Sequence, residues 1–220
     1  MRVQKVGARG FLFTFTVPHE EWDLNLHLIR GEGCDYIIDT GLGSLSIAAM
    51  QEYLQYDKPA IVVNTHYHWD HVWGNGSLRH CTIVSHRLCR EMIQSHWQDM
   101  MEKNHRYHHG EVEMVLPSLV FERELYFPED QVRLVYTPGH TIDSISVLDE
   151  ADKVLNAGDN IGDTPEEIVP SIDTDKDLYV DSLHRYLDLD FDTCVSGHNV
   201  VLGRDVIHRL LAILQRTPRP

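Results

Sequence analysis

The sequence is poor in basic residues and in long apolar runs. Its 220 residues include 34 acidic and only 19 basic side chains, which gives a formal net charge of −15 at pH 7. This balance argues against binding to nucleic acid, because such binding requires a basic surface. No stretch approaches the roughly 18 consecutive apolar residues of a membrane-spanning helix, so we expect no membrane association. Residues 1–10 contain no apolar signal-peptide core, and we therefore expect a cytoplasmic protein.

Cysteine is also scarce and shows no pairing pattern. The four cysteines, Cys34, Cys81, Cys89 and Cys194, form no Cys-x-x-Cys motif. We expect reduced thiols, mostly buried as small apolar side chains, rather than disulfides or metal ligands. Repeats, low-complexity tracts and linkers are missing as well. With 42% hydrophobic and 24% charged residues, the chain predicts a single domain over 1–220 with a sizeable core.

Residues of metal-ligand type, by contrast, are concentrated after one predicted strand. The strand is the apolar, β-branched run 61–64, and the residues that follow it are His66, His68, Asp70 and His71. Packing these groups together at a strand end without partners would cost free energy. A divalent metal resolves the conflict, because neutral histidine and ionised aspartate are good ligands for zinc or iron.

Three further candidate ligands each follow a predicted strand at a turn of small residues. His140 follows a Thr-Pro-Gly turn, Asp159 follows an Ala-Gly pair, and His198 follows a Ser-Gly pair. Such turns can converge on one rim of a layered fold, because glycine lets the backbone pass close to a ligand. The sequence therefore indicates one composite metal site.

Apolar patterning predicts strands in two batches, each accompanied by helices. The predicted strands cover 11–17, 24–29, 36–38, 61–64 and 81–85, and then 132–136, 145–148, 153–156 and 193–195. The predicted helices run from Ser44 as N-cap to about Tyr56, from His86 to about Asn104, and over 176–187 and 204–215. This order indicates two sheets packed face to face with helices outside. The mixed segment 105–127 predicts a lid or substrate-binding insertion within 86–131.

The complete set of motifs resembles the metallo-β-lactamase superfamily. The matching motifs are His66-x-His68-x-Asp70-His71, Thr137-Pro138-Gly139-His140, Gly158-Asp159 and Gly197-His198, within a similarity that extends from Asp39 to His198. The resemblance implies an α+β fold, a four-layer αββα sandwich. It also implies a ligand set: one metal ion on His66, His68 and His140, a second on Asp70, His71 and His198, and Asp159 bridging both. Asp39 would orient a ligand histidine without binding metal itself.

The same resemblance implies a binuclear metallohydrolase with a small-molecule substrate. Two divalent metal ions, with zinc favoured over iron or manganese, would hold a bridging hydroxide that attacks an ester, thioester or lactone carbonyl. Asp70 would be the catalytic residue that accepts a proton or orients the nucleophile. Trp69 and Tyr107 are candidate substrate contacts beside this centre.

Departures from known subgroups narrow the expected activity, and two alternatives remain open. Many true β-lactamases carry cysteine or serine where this chain has Asp159, and only 22 residues follow His198, too few for the helical domain of glyoxalase II. We therefore favour a stand-alone hydrolase. The first alternative is an enzyme similar to the persulfide dioxygenases, with one iron on His66, His140 and Asp159. The second is a noncatalytic metal-binding protein.

Overall fold

Two β-sheets form the centre of the computed structural model, which describes residues 1–17, 22–54 and 58–216. The first sheet has seven strands in chain order: β1 (Arg2–Val6), β2 (Gly10–Thr16), β3 (Asp23–Arg30), β4 (Asp35–Ile38), β5 (Ala60–Val63), β6 (Thr82–His86) and β7 (Leu119–Phe121). The second sheet has six: β8 (Glu124–Phe127), β9 (Val132–Tyr136), β10 (Ile145–Asp149), β11 (Val154–Asn156), β12 (Thr193–Val195) and β13 (Leu202–Gly203). Strands β1 to β4 pair antiparallel and β4 to β7 pair parallel. In the second sheet only β11 and β12 pair parallel.

Helices cover the outer faces of both sheets. They are α1 (Ser44–Ala48), α2 (Trp69–Val72), α3 (Arg87–Asn104), α4 (Lys176–Leu187) and α5 (Asp205–Arg216). Short 3-10 turns occur at Gln51–Tyr53, Trp73–Leu78, His105–Tyr107 and Gly158–Asn160. Among the described residues, no helix combines the length and the apolar character needed to cross a membrane.

The alternation of side chains along the strands explains the layering. In β10, Ile145 and Val147 pack between the two sheets, whereas Leu148 packs on the outer face against α4 and α5. Both faces of the central strands are therefore buried, as expected for sheets that are covered on both sides. The αββα sandwich implied by the motifs is confirmed.

The first predicted helix is shorter than expected. Helix α1 ends at Ala48, and a separate 3-10 turn follows it. The residue before the helix is Gly43, and Ser44, the predicted N-cap, is its first residue. The Ser44 hydroxyl instead accepts a hydrogen bond from the backbone N–H of Glu111 at 2.8 Å. The Ser44 hydroxyl is thus used in a tertiary contact and does not cap the helix. Residues 55–56 of the predicted helix lie outside the described residues.

The predicted insertion 86–131 contains a long helix, an extended segment and strands of both sheets. Backbone hydrogen bonds fasten the extended segment to the start of α1: His109 N–H donates to Leu42, Leu45 N–H to His109, and Ser44 N–H to Glu111. Downstream, β7 and β8 join different sheets, so the chain crosses the sandwich there. The lid function of this region stays a prediction.

The four cysteines carry free thiols. Cys89 and Cys194 are buried, and Cys34 and Cys81 are partly exposed. Burial raises the pKa of Cys194 to about 12, which keeps this thiol protonated and unreactive at neutral pH.

Candidate metal centre

The candidate ligands follow the ends of four strands, and Asp39, which would orient one of them, follows a fifth. Asp39 comes directly after β4, and the run from His66 to His71 comes after β5 and continues into α2. His140, Asp159 and His198 follow β9, β11 and β12. Both sheets therefore contribute to the site, and five separate chain segments must pack correctly before it exists.

One group of ligand atoms consists of His66, His68 and His140, which lie within 4.8 Å of one another. The Nε2 atom of His140 is 3.0 Å from Nδ1 of His68. His66 is fully buried, and the two other side chains are partly accessible. Three imidazoles converging at this spacing are a typical zinc-ligand set.

A second group consists of Asp70, His71 and His198, again with ligand atoms within 4.8 Å of one another. The carboxylate oxygen Oδ2 of Asp70 lies 3.5 Å from Nε2 of His71 and 3.3 Å from Nε2 of His198. This mixed nitrogen and oxygen set also suits a divalent cation.

Asp159 lies between the two groups. Its Oδ2 atom is 3.7 Å from Nε2 of His66 and 3.8 Å from Nε2 of His140 in the first group. The same oxygen is 3.2 Å from Nε2 of His71 and 3.1 Å from Nε2 of His198 in the second. Asp159 is thus the residue whose carboxylate approaches both groups.

Hydrogen bonds on the far side of the rings orient the histidines. The Nδ1 atom of His71 lies 2.8 Å from the carboxylate of Asp39, Nδ1 of His140 lies 2.8 Å from the carbonyl of Ser171, and Nδ1 of His198 lies 2.9 Å from the carbonyl of Asp23. A carbonyl or an ionised carboxylate only accepts, so each Nδ1 carries the proton. In the neutral ring, each Nε2 atom then has a lone pair directed at the centre.

Buried atoms without partners test whether a metal fits. Among the described residues, Nε2 of His66, Nε2 of His71 and Oδ1 of Asp159 are buried and have no hydrogen-bond partner. Leaving such atoms unpaired costs free energy. Divalent cations would coordinate these nitrogen and oxygen atoms, and the residues present fit such ions in number and type.

Burial and neighbouring charges shift the pKa values of the histidines in this cluster in opposite directions. Burial lowers the pKa of His66 to well below its usual value, and burial together with His140 lowers that of His68 to about 4. Burial also opposes the charge on His71 and His198, but the neighbouring carboxylates outweigh it and hold both pKa values well above the usual range. His66 and His68 are therefore neutral and ready to bind metal, whereas His71 and His198 must release protons first.

The two candidate substrate contacts lie next to each other. The rings of Trp69 and Tyr107 are stacked, with centroids 4.8 Å apart and an interplanar angle of 19°. Trp22 packs edge-on against Trp69 and against His198, at centroid distances of 6.2 and 5.1 Å. Trp22 was not predicted from the sequence, because no local motif links it to a histidine 176 positions away.

The fold and the donor cluster together define a class, the αββα sandwiches that carry a metal-ligand cluster at one rim. The sequence profile of the Metallo-beta-lactamase superfamily matches residues 21–198. The chain belongs to this superfamily, as the motifs predicted.

Solved structures show the same architecture. The metallo-β-lactamase from Pontibacter korlensis superposes with a TM-score of 0.76 at 17% identity, covering 98% of this chain and 99% of that one. The metallo-β-lactamase from Hirschia baltica gives a TM-score of 0.74 at 15% identity, covering 99% of both chains. At these identities the similarity concerns the fold alone.

Relatives named acyl-coenzyme A thioesterase MBLAC2 include the proteins from Bos taurus, Homo sapiens and Gallus gallus. The protein from Homo sapiens is 26% identical over 168 residues, which are 63% of this chain and 58% of that protein. The protein from Gallus gallus is 23% identical over 215 residues, which are 84% of this chain and 76% of that protein. The match thus spans less than two thirds of the human protein's length.

Proposed function

We propose that the protein is a binuclear zinc hydrolase that cleaves a thioester carbonyl, with esters and lactones as related substrates. The observation that carries the proposal is the position of Asp159, whose single oxygen lies within 3.8 Å of histidine nitrogens from both ligand groups. His66, His68 and His140 would hold one ion, Asp70, His71 and His198 the other, and Asp159 would contact both. When bound, two such ions activate water and polarise a carbonyl oxygen.

The residues of the chain would have distinct duties in this reaction. Asp39 holds His71 in one tautomer, and the carbonyls of Ser171 and Asp23 do the same for His140 and His198. Asp70 is the acidic side chain of the second group, and His71 and His198 outweigh the effect of burial and keep its pKa below the usual value. It is therefore ionised at neutral pH, the form in which a carboxylate can orient the attacking water or accept its proton.

The thioester preference is supported by the relatives. Those from Homo sapiens and Gallus gallus are named for acyl-coenzyme A thioesterase activity. A thioester also needs little help with its leaving group, because a thiolate leaves more readily than an alkoxide. A centre that supplies an activated water and a polarised carbonyl meets the demands of this reaction.

Metal analysis and a substrate panel test the proposal together. We expect two zinc ions per chain after anaerobic purification, and hydrolysis of acyl-coenzyme A thioesters that stops on chelation and returns with zinc. One iron per chain with oxygen consumption on a persulfide would instead support the dioxygenase alternative. Two bound metal ions with no turnover of thioesters, esters or lactones would support the noncatalytic one.

Substituting Asp70 tests its proposed role. Asp70→Ala should lower kcat by at least roughly 100-fold, which is the usual contribution of a general base. Asp181→Ala is the matched control, because Asp181 is an exposed carboxylate on α4. A variant at position 70 with normal turnover would exclude the role assigned to this carboxylate.

A further inference from the structure

A cavity of about 430 Å³ lies beside Tyr107, one ring of the stacked aromatic pair. Its apolar lining consists of Phe15, Val17, Leu42 and Ala49, and its other lining residues are Met1, Thr16 and the wall Arg106, Tyr107, His108 and His109. Phe15, Val17 and Leu42 are buried within the larger apolar cluster on the outer face of the first sheet. The volume of the cavity falls in the range of about 300–1,000 Å³ that is usual for small-molecule sites.

Aromatic rings connect this cavity to the candidate metal centre. Trp22 contacts His198 of the second ligand group, and its ring also lies 6.4 Å from the ring of Tyr107. Tyr107 stacks on Trp69 and lines the cavity. An acyl group that extends from the centre along these partly buried rings would contact aromatic surface on its way to the cavity.

The wall formed by residues 106–109 is held in place. His109 donates its backbone N–H to Leu42 at 3.0 Å and accepts from Leu45 at 3.1 Å. Gly110 has a φ of +89°, and a Cβ atom there would lie 2.4 Å from the hydroxyl of Ser44. At position 110 the chain therefore approaches the start of α1 too closely for a residue larger than glycine. This close approach and the two hydrogen bonds of His109 fix the position of the wall.

A second pocket, beside the candidate metal centre, has more charged residues in its lining. It has a volume of about 250 Å³, lies next to His68, and is lined by His96, Asp99 and Lys103 of α3. Holding a hydrocarbon there would desolvate these charged and polar groups. The cavity beside Tyr107 is also lined by Arg106, His108 and His109, but Phe15, Val17, Leu42 and Ala49 give it the larger apolar wall, so it is the better site for a hydrocarbon.

We propose that the cavity bounded by Phe15, Val17, Leu42, Ala49 and the 106–109 wall binds the hydrocarbon chain of the acyl group, and so sets the chain length of the substrate. This inference rests on the proposed thioester hydrolysis. Ala49 is the specificity-determining position, because it is the smallest side chain that lines the cavity, and enlarging it fills the space from one side.

The test compares two neighbouring alanines in the metal-loaded enzyme. Ala49→Phe should lower kcat/KM for octanoyl- and dodecanoyl-coenzyme A by roughly tenfold or more, the usual effect of removing apolar contacts in a pocket. It should leave acetyl-coenzyme A within about twofold of wild type. Ala48→Phe is the matched control, because Ala48 is the exposed residue before it and does not line the cavity. Ala49→Leu, with a smaller addition, should give an intermediate shift and guards against misfolding of the larger variant.

A binding measurement provides a readout that is independent of turnover. Titration calorimetry with the S-dodecyl thioether of coenzyme A, which cannot be hydrolysed, should show weaker binding by Ala49→Phe and unchanged binding by Ala48→Phe. Equal effects of the two variants, or an unchanged chain-length profile in an enzyme that does hydrolyse thioesters, would overturn the inference alone. Absence of thioester hydrolysis in the wild type would overturn the proposed function instead.

Discussion

The carboxylate of Asp39 lies 2.8 Å from Nδ1 of His71, on the side of the ring that faces away from the candidate metal centre. Asp39 also accepts hydrogen bonds from the backbone N–H and the hydroxyl of Thr65, each at 2.7 Å. Its φ of +62° is in the left-handed region, where aspartate and asparagine are better tolerated than most residues. One residue outside the ligand set therefore links the end of β4 to the metal-binding loop after β5.

Asp39→Asn should weaken metal binding while the fold persists. Asparagine tolerates the same backbone conformation, but its amide accepts on one oxygen only and loses part of the contact to Thr65 or His71. We expect a loss of roughly 10–100-fold in zinc affinity, the usual effect of removing a partner of a ligand histidine. Competition with a fluorescent zinc chelator measures this change.

Asp130→Asn is the control for loss of a buried carboxylate. Asp130 accepts hydrogen bonds from Gly33, Cys34 and the hydroxyl of Tyr36, away from the candidate centre. This variant should unfold at lower urea concentration and keep normal zinc affinity. An equal loss of zinc affinity in both variants would show that Asp39 acts through stability rather than through His71.

Substitutions of Asp159 and of His198 should have different effects on the number of bound metal ions. His198 belongs to one ligand group, whereas the Asp159 carboxylate approaches both. We expect His198→Ala to retain about one zinc per chain and Asp159→Ala to retain less than one, because the latter removes a donor from each ion. Plasma mass spectrometry of dialysed protein gives these numbers. Loss of a single ion on removing Asp159 would place this residue in one group only.

Strand positions and the donor cluster were accessible from local sequence patterns. Strong apolar runs such as 132–136 and 193–195 have the same bounds in the structure, and so does the helix Lys176–Leu187. The seven predicted ligands come together because each follows a strand that ends at the same rim. Their division between two metal ions still rests on the resemblance.

Features that depend on tertiary contacts could not be predicted from the sequence. Strand β1 is mostly exposed and lies beside β2 at the edge of the first sheet, so it lacks the alternation of a half-buried strand. The partners of His140 and His198 are backbone carbonyls, of Ser171 and Asp23, and a carbonyl has no sequence signature. Ser44 has the residue type of an N-cap, yet its hydroxyl is bonded to Glu111.

Gly197→Ala should disrupt the candidate metal centre. A Cβ atom at this position would lie 2.1 Å from Oδ1 of Asp159 and 2.7 Å from Cε1 of His71. Both neighbours are buried and cannot move without leaving the cluster. We expect metal content to fall by at least about half, since one added methyl in a packed site forces such shifts.

Gly203→Ala provides the comparison for this effect. A Cβ atom there would lie 2.8 Å from a carboxylate oxygen of Asp205, at an exposed position where the neighbouring side chain can rotate away. This variant should therefore bind a full complement of zinc. Normal metal content in Gly197→Ala would mean that the loop before His198 can shift, and that close packing there is dispensable.

His27 should make the protein less stable in mild acid. This histidine of β3 is 1% exposed, and neither ring nitrogen has a hydrogen-bond partner in the described part of the chain. Burial lowers its pKa to about 4. The unfolded chain therefore binds the proton near pH 6.5 while the folded protein does not, so the free energy of unfolding falls as the pH drops from about 6.5 towards 4.

His27→Leu should remove this pH dependence, because leucine fills the space without titrating. Between pH 7 and pH 5, wild type should lose about 2 kcal/mol more of its free energy of unfolding than the variant does. Urea titrations of both proteins at the two pH values measure the difference, and contributions from the other histidines cancel between them. His80→Leu, at an exposed position, should behave like wild type. If His27→Leu and wild type lost equal stability, His27 would have to be protonated in the folded protein at pH 5, and its ring would need a partner such as a buried water.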